Sequence, residues 1–195
     1  ESLAYSRRTG TLSRNTAYNP LTIEGKKTAA FEIARQLAIA KSGDGASPAR
    51  VREGASGRAV ERASEGANER APSSWKAPDE VFVPTGDGVI LAGIYKGFED
   101  LVRLGCTSRI PRIWACQAEG SSAIATALSQ GYFGKPMASH TIADSISVDV
   151  PRNGSHALMK LKKHGGRAVT VKDAEILAAQ RLLASNSGLF AEPSS

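Results

Sequence analysis

Val81-Phe82-Val83-Pro84-Thr85-Gly86-Asp87-Gly88-Val89-Ile90-Leu91-Ala92-Gly93-Ile94-Tyr95-Lys96-Gly97-Phe98 decides the fold. Val81 to Val83 form an apolar run that Pro84 stops, which predicts a short buried strand. Gly86 and Gly88 admit backbone conformations that a Cβ forbids, and they let a ligand approach the main chain. Ile90, Leu91, Ile94, Phe98 and Leu101 then recur at helical spacing. A strand, a glycine turn and a helix in that order leave backbone N–H groups unpaired at the positive end of a helix dipole. That is an anion site in outline. The same turn also serves as plain connection chemistry in α/β proteins, so the stretch alone leaves both readings open.

Outward from this stretch the pattern repeats. Leu104-Gly105 stops the helix, and Pro111 leads into a second buried strand, Arg112-Ile113-Trp114-Ala115-Cys116. Gln117-Ala118-Glu119-Gly120-Ser121-Ser122 leaves that strand, and a helix follows from Ala123 to Gln130 with Gly131 as its stop. Thr141 to Ile146 reads as an ordered loop, and a helix covers Ser155 to Lys163. Lys160, Lys162, Lys163 and His164 complement the dipole at its end. Ala168-Val169-Thr170-Val171 is a third strand, and Asp173 opens a last helix with a buried stripe of Ile176, Leu177, Ala179, Leu182 and Leu183. Alternating strands and helices predict an α/β, doubly wound, mostly parallel sheet with helices on both faces. A ligand site belongs at the carboxyl ends of its strands.

Upstream, Asn19-Pro20 is a break, and Glu24-Gly25-Lys26-Lys27-Thr28 precedes a helical pattern of Ala29, Phe31, Ile33 and Leu37. Lys26 and Lys27 read as a solvated first turn, and a substrate role has no independent support in the sequence. From Lys41 to Ser74 the composition changes to Gly, Ala, Ser, Arg and Glu, with Val51 and Val60 as the only large aliphatics. Such a segment buries too little apolar surface to offset its ordering entropy, so 41–74 is expected to be a disordered insertion. The expected organisation is therefore an N-terminal segment and helix over 1–40, the insertion, and an α/β domain over 75–195.

The chain of 195 residues, 41% hydrophobic and 23% charged, has the composition of a soluble globular domain. No apolar run approaches the ~20 residues that span a bilayer, and the N-terminal stretch has no signal-like apolar segment. Cys106 and Cys116 are too few for a disulfide framework, and a reduced, cytoplasmic setting is the expectation. The net charge of +6 is spread without a dense basic run, so neither nucleic acid nor membrane is an expected partner. His140, His156 and His164 have no partners at metal-ligand spacing, so no metal is expected. Walker, nucleophile-elbow and Rossmann signatures are absent.

Several segments together do carry a resemblance. Asn19-Pro20 with Glu24-Gly25-Lys26-Lys27-Thr28, then Pro84-Thr85-Gly86-Asp87-Gly88 with Gly93, come first. Gln117-Ala118-Glu119-Gly120, Thr141 to Ile146, and Glu192-Pro193-Ser194-Ser195 follow. In this order and spacing they resemble the C-terminal part of fold-type II pyridoxal-phosphate enzymes, most closely the threonine synthases. The resemblance covers the chain except the insertion.

The resemblance implies that Gly86, Asp87, Gly88 and Val89 cradle the phosphate of pyridoxal phosphate with backbone amides. Val89 stands where the family often has Gly or Asn, a change that leaves backbone donors in place. Glu192, Pro193 and Ser194 resemble the family segment that passes near the pyridine ring. A simple helix N-cap is the alternative reading of the same residues. The resemblance further implies conversion of the amino-acid substrate O-phosphohomoserine and water to threonine and phosphate. A dehydratase or other β-replacement enzyme of the same fold is the alternative, and a non-catalytic remnant of the fold is a second one.

The family's Schiff-base lysine lies in a Phe-Lys-Asp type of motif that this sequence does not contain, so no catalytic lysine is assigned. The Ser-Gly-Asn type of segment is missing too. A start without Met and an end inside a motif lead to the expectation of an inactive fragment, truncated at its C-terminus, of a longer enzyme, for which a homodimer stays open.

Overall fold

The computed structural model describes residues 2–11, 19–42 and 75–195. The expected insertion over 41–74 lies outside them, apart from the last two positions of a helix. In chain order the elements are α1 (Ser2–Thr9), α2 (Leu21–Lys26), α3 (Thr28–Ser42), β1 (Glu80–Pro84), α4 (Val89–Arg103), β2 (Arg112–Ala118), α5 (Ala123–Gln130), α6 (Gly154–Lys163), β3 (Arg167–Val171) and α7 (Asp173–Ser187). Short 3₁₀ turns sit at Glu119–Ser121 and Asp144–Ile146. The second of these gives the Thr141 to Ile146 loop its only regular structure.

The fold is α/β with a parallel sheet, as the alternation of elements predicts. Its three strands lie in the order β1-β2-β3, and both pairings are parallel. Phe82 stands opposite Trp114, and Trp114 opposite Arg167. Alternation along the strands sorts side chains by face. Val83, Ile113 and Ala115 belong to the core, together with Leu91, Ile94, Tyr95, Phe98 and Leu101 of α4, Ile124 of α5, and Ala157 and Leu161 of α6. Phe82, Trp114 and Arg167 form a row on the other face, where Phe82 and Trp114 stack and the Arg167 guanidinium lies over the indole.

Helix α4 is the central element. Its buried stripe includes Leu91, Ile94, Phe98 and Leu101, as the spacing predicts, with Val89 and Tyr95 added. Ile90, expected in that stripe, is instead 46% exposed: it sits in the first turn of α4 and lines a cavity there. Gly93 and Gly97 open a notch on α4 into which the α2–α3 junction settles. A Cβ on Gly97 would collide with the Lys27 carbonyl oxygen and the Ala30 side chain. Lys27 and Lys96 then share the Asp100 carboxylate, at 3.1 and 2.5 Å, and Lys27 also meets Glu24 at 2.6 Å. Burial alone would raise the Asp100 pKa, but these two ammonium groups hold it below the usual value.

A second charged cluster ties α4 to α6. The Glu99 carboxylate takes Lys160 at 2.6 Å, His164 at 2.8 Å and Lys163 at 3.3 Å. His164 is thus half-buried and stacked on Tyr95, more than the helix-terminal cation that the sequence suggests. The end of the chain departs from expectation further. Helix α7 has no buried residue, and Leu182 is 64% exposed. Its apolar stripe is real, but it faces an open cavity rather than packed side chains.

Among the described residues no helix is long and apolar enough to cross a membrane. Cys106 and Cys116 are both free thiols.

Candidate functional site

The carboxyl end of β1 runs directly into the glycine turn. Gly88 takes φ +86°, the left-handed region that a glycine enters without strain, and it is the residue that starts α4. No side chain caps this helix. The first intrahelical bond is from the Ala92 N–H to the Gly88 carbonyl, 3.0 Å, so the Val89, Ile90 and Leu91 N–H groups precede the helical ladder. A cavity of roughly 220 Å³ opens at this point, lined by Thr85 to Leu91 together with Pro84, Lys26, Ser145, Ile146 and Val148. The leading amides and the positive end of a 15-residue helix lie at it, and Lys26 is among the residues that line it.

The surrounding segments brace the turn. The Asp87 Oδ1 accepts the Arg152 N–H at 2.9 Å, and the Asn153 Nδ2 donates to the Gly88 carbonyl at 3.1 Å. Gly86 has no space for a side chain, since a Cβ there would stand 3.0 Å from the Ile146 Cα and 3.1 Å from Val148. Gln117 is buried, and its Nε2 donates to the Thr85 carbonyl at 2.9 Å. The Ser121 hydroxyl accepts the Val148 N–H at 2.9 Å and lies 3.2 Å from the Ile146 carbonyl.

The 141–146 segment is held at both ends. Asp173 accepts the Thr141 hydroxyl at 2.6 Å and the Ile142 N–H at 3.0 Å, which holds its carboxyl below the usual carboxylate range. The Ser194 Oγ accepts the Ser145 N–H at 3.1 Å. Ser194 is buried, while Glu192 is exposed and takes the Ser195 N–H on its carbonyl, so this end of the chain is a turn.

A second cavity, about 680 Å³, lies beside the first and shares Pro84 and Ile146 with it. Cys116, Gln117 and Val171 line it from the strand ends, Ile176, Ala179 and Leu183 from α7, and Glu192 to Ser195 from the terminal turn. Burial pushes the Cys116 thiol pKa up. Both cavities therefore sit at the carboxyl ends of the strands, where the topology predicts them.

The structure brings Gly86, Asp87, Gly88 and Val89 to the smaller cavity, and Glu192 and Ser194 to the larger. It also separates two neighbours that sequence leaves equivalent. Lys27 is engaged by Glu24 and Asp100, whereas Lys26 borders the smaller cavity. Asn153 and the Asp173 clamp are not singled out in the sequence, and Gln117 enters there only as part of the Gln117-Ala118-Glu119-Gly120 segment, with no role of its own. A glutamine at the end of an apolar strand was the one available signal, because a buried carboxamide has to find partners. Among the described residues no cluster of His, Cys, Asp or Glu is placed to hold a metal.

Comparison with known proteins is consistent with this geometry. The family model described as pyridoxal-phosphate dependent enzyme matches residues 39–195. The threonine synthase of Methanosarcina acetivorans is 32% identical over 182 residues, covering 91% of this chain and 35% of that protein. The threonine synthase of Mycobacterium tuberculosis is 29% identical over 187 residues, covering 95% of this chain and 39% of that protein. The chain thus spans little more than a third of the length of these relatives. Maize serine racemase superposes with a TM-score of 0.66 at 18% identity, over 99% of this chain and 44% of that one. Isoform 2 of threonine deaminase from Solanum lycopersicum gives 0.65 at 20% identity, over 98% of this chain and 40% of that one. At such identities the two superpositions speak to the fold.

Proposed function

The chain belongs to the pyridoxal-phosphate-dependent enzyme family, and from that premise we propose that it forms the phosphate-loop part of a threonine synthase-like enzyme. The observation that carries this reading is the set of leading α4 amides opening, with Lys26 beside them, onto the cavity behind Gly86 and Gly88. These groups fit a phosphate monoester, which needs several N–H donors and positive potential at close range. Gly86, Asp87, Gly88 and Val89 would hold the phosphate through main-chain N–H groups, so the valine side chain is no obstacle. Ser194 would fix the 141–146 segment along the same cavity wall, and Glu192 would stand at the wider cavity. When bound, pyridoxal phosphate supplies an electron sink for bond breaking next to the substrate amine.

The overall reaction in this reading is O-phosphohomoserine plus water giving threonine plus phosphate. Support for that substrate over others comes from sequence relatives at about 30% identity that are named threonine synthases. The first test titrates the chain with pyridoxal phosphate and with pyridoxal. Tighter binding of the phosphorylated form is expected, and equal affinity for the two would sink the phosphate-loop reading. The second test supplies O-phosphohomoserine, and separately threonine, to an enzyme that contains this chain. Phosphate release is expected from the first. A 2-oxo acid formed from the second, without phosphate release, would overturn the synthase reading in favour of a dehydratase.

A further inference from the structure

We infer that Gln117 is a positioning residue for the anion loop: its carboxamide sets the Thr85–Gly86 peptide plane and so presents the Gly86 N–H to the bound phosphate. This rests on the phosphate-loop reading above.

Gln117 lies at the end of β2 with a relative exposure of 2%. Its Nε2 donates to the Thr85 carbonyl at 2.9 Å, and its Oε1 accepts the Ala125 N–H at 2.8 Å. The two partners fix which way round the amide sits, because a carbonyl only accepts and an N–H only donates. Ala125 is the third residue of α5, one of the N–H groups that a helix cannot satisfy from within. Ser122, at the start of α5, gives no side-chain cap, so Gln117 does that work from the preceding strand. Rotating the carboxamide would break both bonds at once.

Thr85 is consequently held on both of its backbone groups, since its N–H also donates to the Cys116 carbonyl at 2.8 Å. In a trans peptide the C=O and the following N–H point in opposite directions. No cis peptide occurs among the described residues. A Thr85 carbonyl drawn toward Gln117 therefore sends the Gly86 N–H to the other side. Gly86 lines the smaller cavity, whereas Gln117 lines only the larger one beside it. Among neutral side chains of this length, only glutamine carries a donor and an acceptor side by side. Glutamate would set an oxygen against the Thr85 carbonyl, and methionine would fill the volume with neither bond.

The test compares equilibrium binding of pyridoxal phosphate and pyridoxal to the full chain and to Gln117→Glu and Gln117→Met, read by tryptophan fluorescence. The wild type is expected to prefer the phosphorylated form, and both variants to lose about tenfold of that preference. Preference retained in the variants would overturn the inference. So would equal weakening toward both ligands, which is what a purely structural role produces. Where the buried charge of Gln117→Glu prevents folding, Gln117→Met decides. A third measurement needs no variant: the Gly86 amide proton of the wild type should move downfield on addition of pyridoxal phosphate, and no movement would overturn the assignment. A wild type without any phosphate preference is a different result, because it removes the phosphate-loop reading itself.

Discussion

Gly93 and Lys26 meet with no space between them for a side chain: a Cβ on Gly93 would stand 2.5 Å from the Lys26 Cβ. The contact couples the middle of α4 to a lysine at the edge of the smaller cavity. Gly93→Ala must push α2 off α4 and is expected to cost about 1–3 kcal/mol of stability. It should also weaken pyridoxal phosphate binding, because Lys26 moves with the backbone. Thermal unfolding and a cofactor titration on the same variant check the two effects.

Lys26 and Lys27 should part company on substitution. Lys26→Ala is expected to weaken pyridoxal phosphate, relative to pyridoxal, by roughly two- to fivefold, an effect that added salt erodes. Lys27→Ala should leave that ratio alone and lower the melting temperature, since it removes partners of Glu24 and Asp100. A reversed pattern would place the working lysine on the wrong side of the junction.

The Glu99 cluster predicts acid sensitivity. Burial by itself would raise the Glu99 pKa, but Lys160 and His164 overcome this and bring it from an ordinary 4.5 down to about 2. A carboxylate depressed in the folded state stabilises the protein above its unfolded pKa and loses that contribution as pH falls through the folded one. Wild type minus Glu99→Gln stability, measured by denaturant unfolding, should therefore be constant near neutrality and shrink between about pH 4.5 and 2. A difference that grew on acidification would contradict the ion-pair geometry.

Two acceptor side chains, Asp173 and Ser194, hold the 141–146 segment, and each can be removed separately. Asp173→Ala removes the acceptor for Thr141 and Ile142, and Ser194→Ala removes the acceptor for Ser145. Amide hydrogen exchange should accelerate at Ile142 in the first variant and at Ser145 in the second. A loss of about 1 kcal/mol is expected for the Ser194 change. Exchange that stays at wild-type rates would mean the segment is held by other contacts.

Much of the fold was legible because its signals are local. Pro84, Gly88, Gly105 and Gly131 punctuate the chain by backbone conformation alone, and the α4 stripe follows from side-chain spacing. The stripe of α7 was equally legible, yet its burial was not, because a periodic pattern says that a face is apolar and not what covers it. The loop residues Gly86 to Val89 could be named from the turn and the family resemblance. The roles of Gln117 and Asn153 could not, since each has a partner far away in sequence: Gln117 finds Thr85, and Asn153 finds Gly88. Side-chain hydrogen bonds across segments leave no period to read.

The parallel register also governs how the chain folds. No hairpin exists in this sheet, so Phe82 must find Trp114, and Trp114 must find Arg167, across intervening helices. Each pairing closes a long loop before it gains any contact, a topology that slows folding relative to one built from local contacts. The sequence between α3 and β1 lies outside both of these closures. Shortening it should therefore leave the rate of sheet formation almost unchanged and bear only on the docking of α3 onto α4, where loop length enters weakly, as a logarithm.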